Sequence, residues 1–572
     1  MPEPLKQLLT QRYSQLWTDQ STWRDHWQQI AEQQQPRRAR FYDKDANKGD
    51  KRNAKIVNNT PLIAMRVAAA GMMAGITSPA RQWFRLTHPD PDLLKSSKVR
   101  AYLFRREALM TNIIAKSNIY NALAGAVYPD TLAFGTHATF FEEDTESIVR
   151  FYPQAIGEYV LSTSNRGVID TLGRDVPMTT RQLVQSFGLK NVSGVVKDQY
   201  DKGIYDQLHR VIHFVHPNED YNPKVLGSKK WASRWFEKND YGEPDKFLRQ
   251  SGYGRFPVLA PRWALTNSVS DVYGFSPGMD ALGDCKELQH LEKRKATIVD
   301  KISDPTLAIP EDMRNQRISL VPGDHVLVPR TAQGQRIEPI QSLAPGAPTA
   351  VQDLIDRVEQ RVAKAFYADL WLQIINDDRT QPRTAREIAE RHEEKMLQLG
   401  PVVQRAEDEL LDPLIDYVYE RVDELGLQED PPKELQGQAL GIEYISVMAQ
   451  AQRLVNVSST ERFVSFALGF AQAKPEALDK LDADAIVEDM GVILGVNPRY
   501  IVDQDVVDEQ RAQRAKQNQA AQQGEAMLKA AKGAKDASST EPDKIAALAQ
   551  MMGGQAGAAQ AGFTQPGGMP MQ

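Results

Sequence analysis

Two long segments with apolar stripes at helical spacing bracket one Pro- and Gly-rich stretch, and this arrangement limits the fold more than any other feature of the chain. The first helix is predicted over 279–303, with Leu282, Cys285, Leu288, Leu291, Ile298 and Ile302 on a slowly drifting stripe. At 1.5 Å per residue it would be on the order of 36 Å long. Asp304 and Pro305 stop it. Residues 304–349 hold only short apolar runs, 318–321 and 325–328, as expected of a small β-containing insertion. A second helix is predicted over 350–375, carrying Ile355, Val358, Val362, Phe366, Leu370 and Ile374. Two such helices can return antiparallel and present the insertion at their far end.

The flanking sequence is mainly helical with one β-rich part. Residues 5–33 read as a single helix with Leu9, Tyr13, Leu16, Trp23, Trp27 and Ile30 as core. A polar loop, 36–53, follows. Its Asp43, Asp45, Asn47 and Gly49 resemble a calcium loop only superficially, because the glycine is one position late and Ala54 stands where the closing glutamate belongs. In the apolar run 67–76, Gly71 and Gly75 lie one turn apart, which suits a small-residue face against a neighbouring helix; the run is far too short to cross a bilayer. Residues 148–265 turn to short β-branched and aromatic segments. Val211 to Val215 reads as a strand covered on both faces, with His213 and His216 pointing to opposite sides and therefore unable to share a metal. Trp231, Trp235 and Phe236 are read as sheet core or intersubunit packing.

Beyond the second helix lies a polar loop, 376–382, and then a capping box of Thr384 with Glu387 that opens a very long helix closed by Gly426. Pro401 and Pro413 predict kinks in it, while Leu399, Val403, Ala406, Leu410, Leu414, Val418 and Val422 keep one apolar face throughout. Shorter helices are expected to about residue 496, an Ala-rich helix over 506–535, and a disordered end from about 553.

Charge and motif content narrow the function. The 69 Lys and Arg against 75 Asp and Glu give a net charge of −6, so no basic excess drives tight, sequence-independent binding to a polyanion; contact with nucleic acid must be local or weak. The single cysteine, Cys285, forms no intrachain disulfide and is read as packing, in a reducing cytosol. The N-terminal Pro2, Glu3 and Pro4 lead into polar sequence without the features of a signal peptide. Phosphate-loop, dinucleotide and zinc-helix motifs are missing from the sequence, so neither cofactor nor metal is expected. Gly274, Phe275, Ser276, Pro277 and Gly278 spell a nucleophile elbow, yet Pro277 has no N–H to offer an oxyanion, so a turn ahead of a helix is the better reading. Adjacent carboxylates such as Glu393 with Glu394 and Asp408 with Glu409 diverge by about 100° on a helix and do not build a two-metal site. The chain reads as a structural or assembly protein, not an enzyme.

The order of elements and several local strings resemble the portal proteins, or head-to-tail connectors, of short-tailed bacteriophages, over roughly residues 13–507. The carriers are Gly71-Met72-Met73-Ala74-Gly75-Ile76-Thr77-Ser78-Pro79 followed by Trp83-Phe84, and Tyr273-Gly274-Phe275-Ser276-Pro277-Gly278 entering the first long helix. Leu399-Gly400-Pro401 followed by Glu409-Leu410-Leu411-Asp412-Pro413-Leu414-Ile415, and Pro431-Pro432 leading to Tyr444-Ile445-Ser446, complete the set.

The resemblance implies an α+β, mainly helical portal-type subunit, with twelve copies in a ring around an axial channel at one capsid vertex. Segment by segment it implies a wing at 1–275, stem helices at 276–303 and 350–375, a clip at 304–349, a channel loop at 376–383, a long kinked wing helix at 384–426, a crown at 427–500, and a barrel helix or flexible tail at 501–572. Implied partners are further copies of the chain, the terminase motor, tail adaptor proteins, the major capsid protein and double-stranded DNA passing through; no membrane is involved. The implied locations are the virion and, during assembly, the host cytoplasm. In the channel loop, Asn376, Asp377, Asp378, Arg379 and Arg383 are the candidates, the two arginines either touching phosphate transiently or pairing with Asp377 or Asp378. In the clip, Glu311, Arg314 and Arg317 are either partner contacts or solvated. The alternative reading is another virion assembly protein, a scaffold or head-completion factor without a channel.

Overall fold

The computed structural model describes residues 5–38, 41, 53–90, 93–225, 227–238, 246–267, 271–303, 307–308, 338–339, 346–371, 399–437, 440–445, 460–470, 474, 481–493, 500, 502 and 504–537. The chain divides into two compact units, 1–498 and 499–572. In the second, helix Gln504–Ala537 matches the expected Ala-rich helix. No helix among the described residues is long and apolar enough to cross a membrane.

The first unit opens with α1 (Leu5–Asp19) and α2 (Ser21–Gln34) rather than one helix. The break is a single residue, Gln20, whose backbone still accepts from Arg24 N at 3.0 Å. Neither proline nor glycine marks it. The cause is tertiary: the buried Gln20 amide donates to Tyr159 O at 3.0 Å and to the Tyr273 hydroxyl at 2.8 Å. Next come α3 (Thr60–Gly75), β1 (Phe84–Thr87), α4 (Ser97–Lys116) and the buried α5 (Tyr128–Phe134).

The β-rich part follows as β2 (Thr139–Asp144), β3 (Ile148–Pro153), β4 (Tyr159–Thr163), β5 (Ile169–Thr179), β6 (Leu208–Pro217), β7 (Trp231–Glu237), β8 (Arg249–Tyr253) and β9 (Val258–Leu259). Strands β4 to β8 form an antiparallel sheet in sequence order, and β3-β2-β9 form a smaller one. Both faces of the larger sheet are covered, as the alternation of β6 requires. Leu9 and Tyr13 of α1 pack on Val160, Ile212, Phe214 and Phe236. On the other face, α6 (Thr180–Phe187) and α7 (Gly194–Asp201) pack Leu183, Phe187 and Val196 on Val211 and Trp235. His213 is buried on that second face, stacked on Trp235 at 3.9 Å, with Nδ1 accepting from Arg174 Nε at 2.9 Å and Nε2 beside Ser233 Oγ at 2.9 Å.

The helix pair is present, with altered bounds. A single turn, Pro277–Asp280, capped by Ser276, precedes α8 (Leu282–Ser303). Beyond it, β10 (Leu307–Ala308) and β11 (Glu338–Pro339) pair antiparallel at the base of the insertion. The second helix, α9, spans Ala347–Ala365 with a proline in its first turn. It is interrupted before 375: Tyr367 takes a left-handed φ of 55°, and helix resumes at 368, where it is described as far as 371. The residues that follow to 398 lie outside the described set, as does the Thr384 capping box.

The described chain resumes as helix at 399–406, which widens into a π-turn at Glu407–Leu411 and continues as α10 (Asp412–Glu424). The irregularity expected at Pro413 is this π-turn, which sits where the proline withholds its N–H. Gly426, at φ 58°, closes the helix, with Leu427 N donating to Val422 O at 3.1 Å. β12 (Gly441–Tyr444) then pairs with β1, from Phe84↔Tyr444 to Thr87↔Gly441, a pairing that no periodicity announces. A further helix, α11 (Ala483–Ile493), lies later in the unit.

One core joins α3, α4, α8, α9 and the 399–424 helix. Within it Trp371 lies across Gly71 and Gly75; a Cβ at Gly71 would meet the Trp371 ring carbons at 2.6 and 2.8 Å, so only glycine admits the indole there. The expected small-residue face exists, and its occupant is a tryptophan. Gly71→Val should therefore cost about 1–3 kcal/mol by overpacking and Trp371→Ala about 3–5 kcal/mol by leaving a cavity, read as shifts in the urea midpoint. Equal stability of both variants to the parent would contradict this packing.

A second prediction comes from two buried histidines. His137 lies between Asp130 Oδ2 (2.9 Å) and Thr139 Oγ1 (2.8 Å), while Arg38 binds Asp130 through Nε at 3.1 Å. Burial pushes the His137 imidazole down, aided by Arg38 and opposed by Asp130; burial pushes His213 well down, aided by Arg174. Burial would raise Asp130, but the Arg38 charge and the bonds from His137 and Arg38 overcome it and hold the carboxyl below its usual range. A histidine depressed in the fold contributes stability that is complete above its unfolded pKa of about 6.5 and lost as pH falls below it. The unfolding midpoint should therefore fall between pH 7 and 5, and His137→Gln combined with His213→Gln should flatten that fall.

Candidate functional site

Ser276 and Cys285, both weighed on the sequence, are held by structure. Ser276 is buried; its Oγ accepts from Met279 N at 3.1 Å and donates to Ala133 O at 2.8 Å. The segment 273–278 crosses the end of α5 so closely that Gly135 (φ 79°) and Gly274 touch backbone to backbone, with Gly274 N donating to Thr136 Oγ1 at 2.7 Å. The elbow-like string is therefore a helix cap in a tight crossing. The Asp130, His137 and Thr139 row has the order of a catalytic triad, but His137 and Thr139 are fully buried, and Arg38 neutralises the carboxylate. Cys285 is likewise fully buried on α8, where burial pushes its thiol up to about 12 and Gln34 Nε2 donates to the sulfur at 3.6 Å.

What remains as a candidate is the α8–α9 hairpin and its root. The two helices are antiparallel in register: Arg361 meets Asp284 (3.2 Å) and Glu287 (2.7 Å), and Lys295 meets Gln352 (2.9 Å) further along. The insertion lies between the far ends of the two helices in sequence, and its β10 and β11 pair antiparallel. The seam is apolar, with Leu288, Ile355, Val358 and Val362 buried. From Lys293 to Ser303 most of α8 is exposed, so about its last 15 Å project from the body as a stalk.

A polar clasp fixes the root. Gln289 Oε1 accepts from the backbone N–H groups of Val57 (2.7 Å) and Asn58 (2.8 Å), and Gln289 Nε2 donates back to Asn58 O at 2.9 Å. The Asn58 amide spends its two N–H donors on Glu292 Oε1 (3.0 Å) and Glu359 Oε1 (2.7 Å), one carboxylate from each helix. Its own oxygen accepts from Thr60 N at 2.8 Å and so starts α3. From there α3 runs alongside α9 until Gly71 and Gly75 meet Trp371.

Arginines tie the body to the 399–424 helix. Arg262 binds Glu409 through its backbone N (2.9 Å) and Nη2 (2.6 Å), and also Asp271 O and Gly167 O at 2.8 Å each. Arg255 pairs with Asp416 (2.6 Å) and Glu420 (2.7 Å), and Arg106 stacks over Tyr419 at 3.9 Å while bonding its carbonyl at 2.8 Å.

Asn376, Asp377, Asp378, Arg379 and Arg383 lie outside the described residues, as do Glu311, Arg314 and Arg317; the hairpin flanks both groups in sequence. The sequence reading missed the clasp. It also missed a row of cations on α8, Lys286, Lys293, Arg294 and Lys301, whose spacing of seven or eight was available as a signal.

The sequence matches the family described as bacteriophage head to tail connecting protein over residues 6–502. It is 41% identical over 545 residues to a "Probable portal protein" of Bordetella phage BPP-1, covering 95% of this chain and 97% of that one. It is 40% identical over 560 residues to a portal protein of Salmonella phage epsilon15, covering 97% and 99%. A chain from the virion of a native gene transfer agent particle aligns at 12% identity, with 70% of this chain and 94% of that one covered; its TM-score of 0.31 is too low to bear on the fold. On the strength of the family match and the two near-full-length relatives, the chain belongs to the bacteriophage head to tail connecting protein family.

Proposed function

We propose that this chain is the portal subunit of a phage virion, assembling with further copies into a ring through which DNA is packaged and ejected. The observation that carries the reading is the projecting α8–α9 hairpin with an insertion at its tip. In this reading the hairpin is the stem beside the axial channel, 304–349 the clip that meets the terminase motor and later the tail adaptors, and 376–383 the channel loop. Residues 1–275 with the helix of 384–426 form the wing facing the major capsid protein, 427–500 the crown, and 501–572 a barrel helix or tail. Twelve copies are what the family resemblance implies. The protein acts without catalysis, as a docking platform and conduit in the virion, after assembly in the host cytoplasm. A scaffold or head-completion role is not favoured, since both relatives are described as portal proteins.

A conduit must not grip. Each phosphate neutralised adds salt-dependent affinity, so a net charge of −6 with local cations suits passage better than a basic bore. Electron microscopy of the purified full chain should show closed rings with a central hole; a chain that stays monomeric under assembly conditions contradicts the reading. Arg379→Ala with Arg383→Ala should leave the rings intact and lower the yield of DNA-filled heads, and an unchanged yield would remove both residues from the channel.

A further inference from the structure

The exposed face of α8 carries a row of cations that the hairpin's own packing does not use. Leu282, Cys285, Leu288 and Gln289 turn inward and are buried. Flanking that stripe and beyond it, Lys286, His290, Lys293, Arg294, Thr297 and Lys301 are all exposed. Residues seven apart on a helix return to within about 20° of the same direction and are about 10.5 Å apart along the axis. Lys286 with Lys293, and Arg294 with Lys301, therefore form two nearly parallel pairs about 80° apart around the helix, the two edges of one basic strip.

The carboxylates of α8 are largely drawn away from this strip. Asp284 and Glu287 pair with Arg361 of α9, and Glu292 is held by Asn58 and Lys295. Asp300 is the exposed exception and lies beside the row. Lys286 lends its ammonium to Gln29 at 2.6 Å. Lys293, Arg294 and Lys301 meet no carboxylate among the described residues. The outward face of α9 is different, mixing Asp353 and Asp356 with Arg357 and Lys364.

We propose that the Lys286–Lys293–Arg294–Lys301 strip of α8 is a track for the phosphate backbone of double-stranded DNA. This rests on the portal reading above. Charge complementarity selects the occupant: the strip is basic in a chain whose net charge is −6, and the mixed-sign face of α9 offers no acidic row with which a second copy could match it. The spacing also fits transit. The cations are two turns apart on long flexible stems, so each copy presents separate, exchangeable binding points instead of a continuous clamp, and a ring repeats them around the axis.

The test uses assembled full-length rings and a fluorescent 30-base-pair duplex, titrated by anisotropy between 50 and 200 mM NaCl. The variant is Lys293→Gln with Arg294→Gln and Lys301→Gln; Arg357→Gln with Lys364→Gln on α9 is the matched control. The expected result is weaker binding by the α8 variant with a shallower dependence on salt, the slope falling by about 0.9 for each phosphate no longer neutralised, while the α9 control binds as the parent does. Parent rings that fail to bind duplex at 50 mM salt, or an α8 variant with the parent's slope, overturn the track and leave the portal reading standing. A folded α8 variant that no longer forms rings would assign the strip to the interface between copies and overturn the proposal equally. A parent chain that forms no rings overturns the portal reading itself.

Discussion

The amide of Asn58 is the point on which the architecture turns. Its two N–H groups reach one glutamate on each helix of the hairpin, and its carbonyl starts the helix that supports them. An amide suits this position because it donates twice and accepts at the same time, which a hydroxyl or carboxylate does not do. Gln289 repeats the arrangement in reverse, accepting from two backbone donors and returning one. The bonds supply both glutamates with donors, so two acidic side chains converge without lacking partners. At the other end of α3, shape takes over from polarity, with a tryptophan ring on two glycines.

Guanidinium and ammonium groups divide the structural work. Arg38, Arg106, Arg255 and Arg262 each bind a carboxylate, and three of them also bond a backbone carbonyl or stack on a ring. Planar, forked donors satisfy several acceptors from one position, which is what joining distant segments requires. Arg174 is the extreme case: buried between Phe140 and Trp235, it is pushed down to about 10 by desolvation, with Glu142 opposing. The lysines of the hairpin are instead mostly left in solvent. Counting charges over the whole chain blends these two populations, so a net value near zero says little about any single surface.

The hairpin was legible in the sequence because a helix with one packed face writes its period into local order. Leu282, Cys285, Leu288, Ile355, Val358 and Val362 fell where the stripe placed them, and the strand at Val211 to Val215 was legible for the same reason. Features made by partners distant in sequence were not. Gln20 interrupts a helix where its side-chain amide donates to both Tyr159 and Tyr273, and Tyr367 turns left-handed at a position with no glycine to advertise it. β12 is short and depends on β1, some 350 residues away, so its own residues carry little signal. The clasp combines residues near 58, 289 and 359, each an ordinary polar side chain in its own neighbourhood. Of the candidate site, its frame was readable, while the loop and insertion residues lie outside the described chain.

The clasp at the root of the α8–α9 hairpin has a mechanical meaning. The projecting hairpin is held at one end, so the position of its tip is set by the angle at its root. Over an arm of about 16 Å, from Glu292 to Ser303, a tilt of one degree at Asn58 displaces the far end by about 0.3 Å. A few hydrogen bonds near the body thus act as the bearing of a lever, and small adjustments of their geometry become the largest movements available to whatever the tip holds.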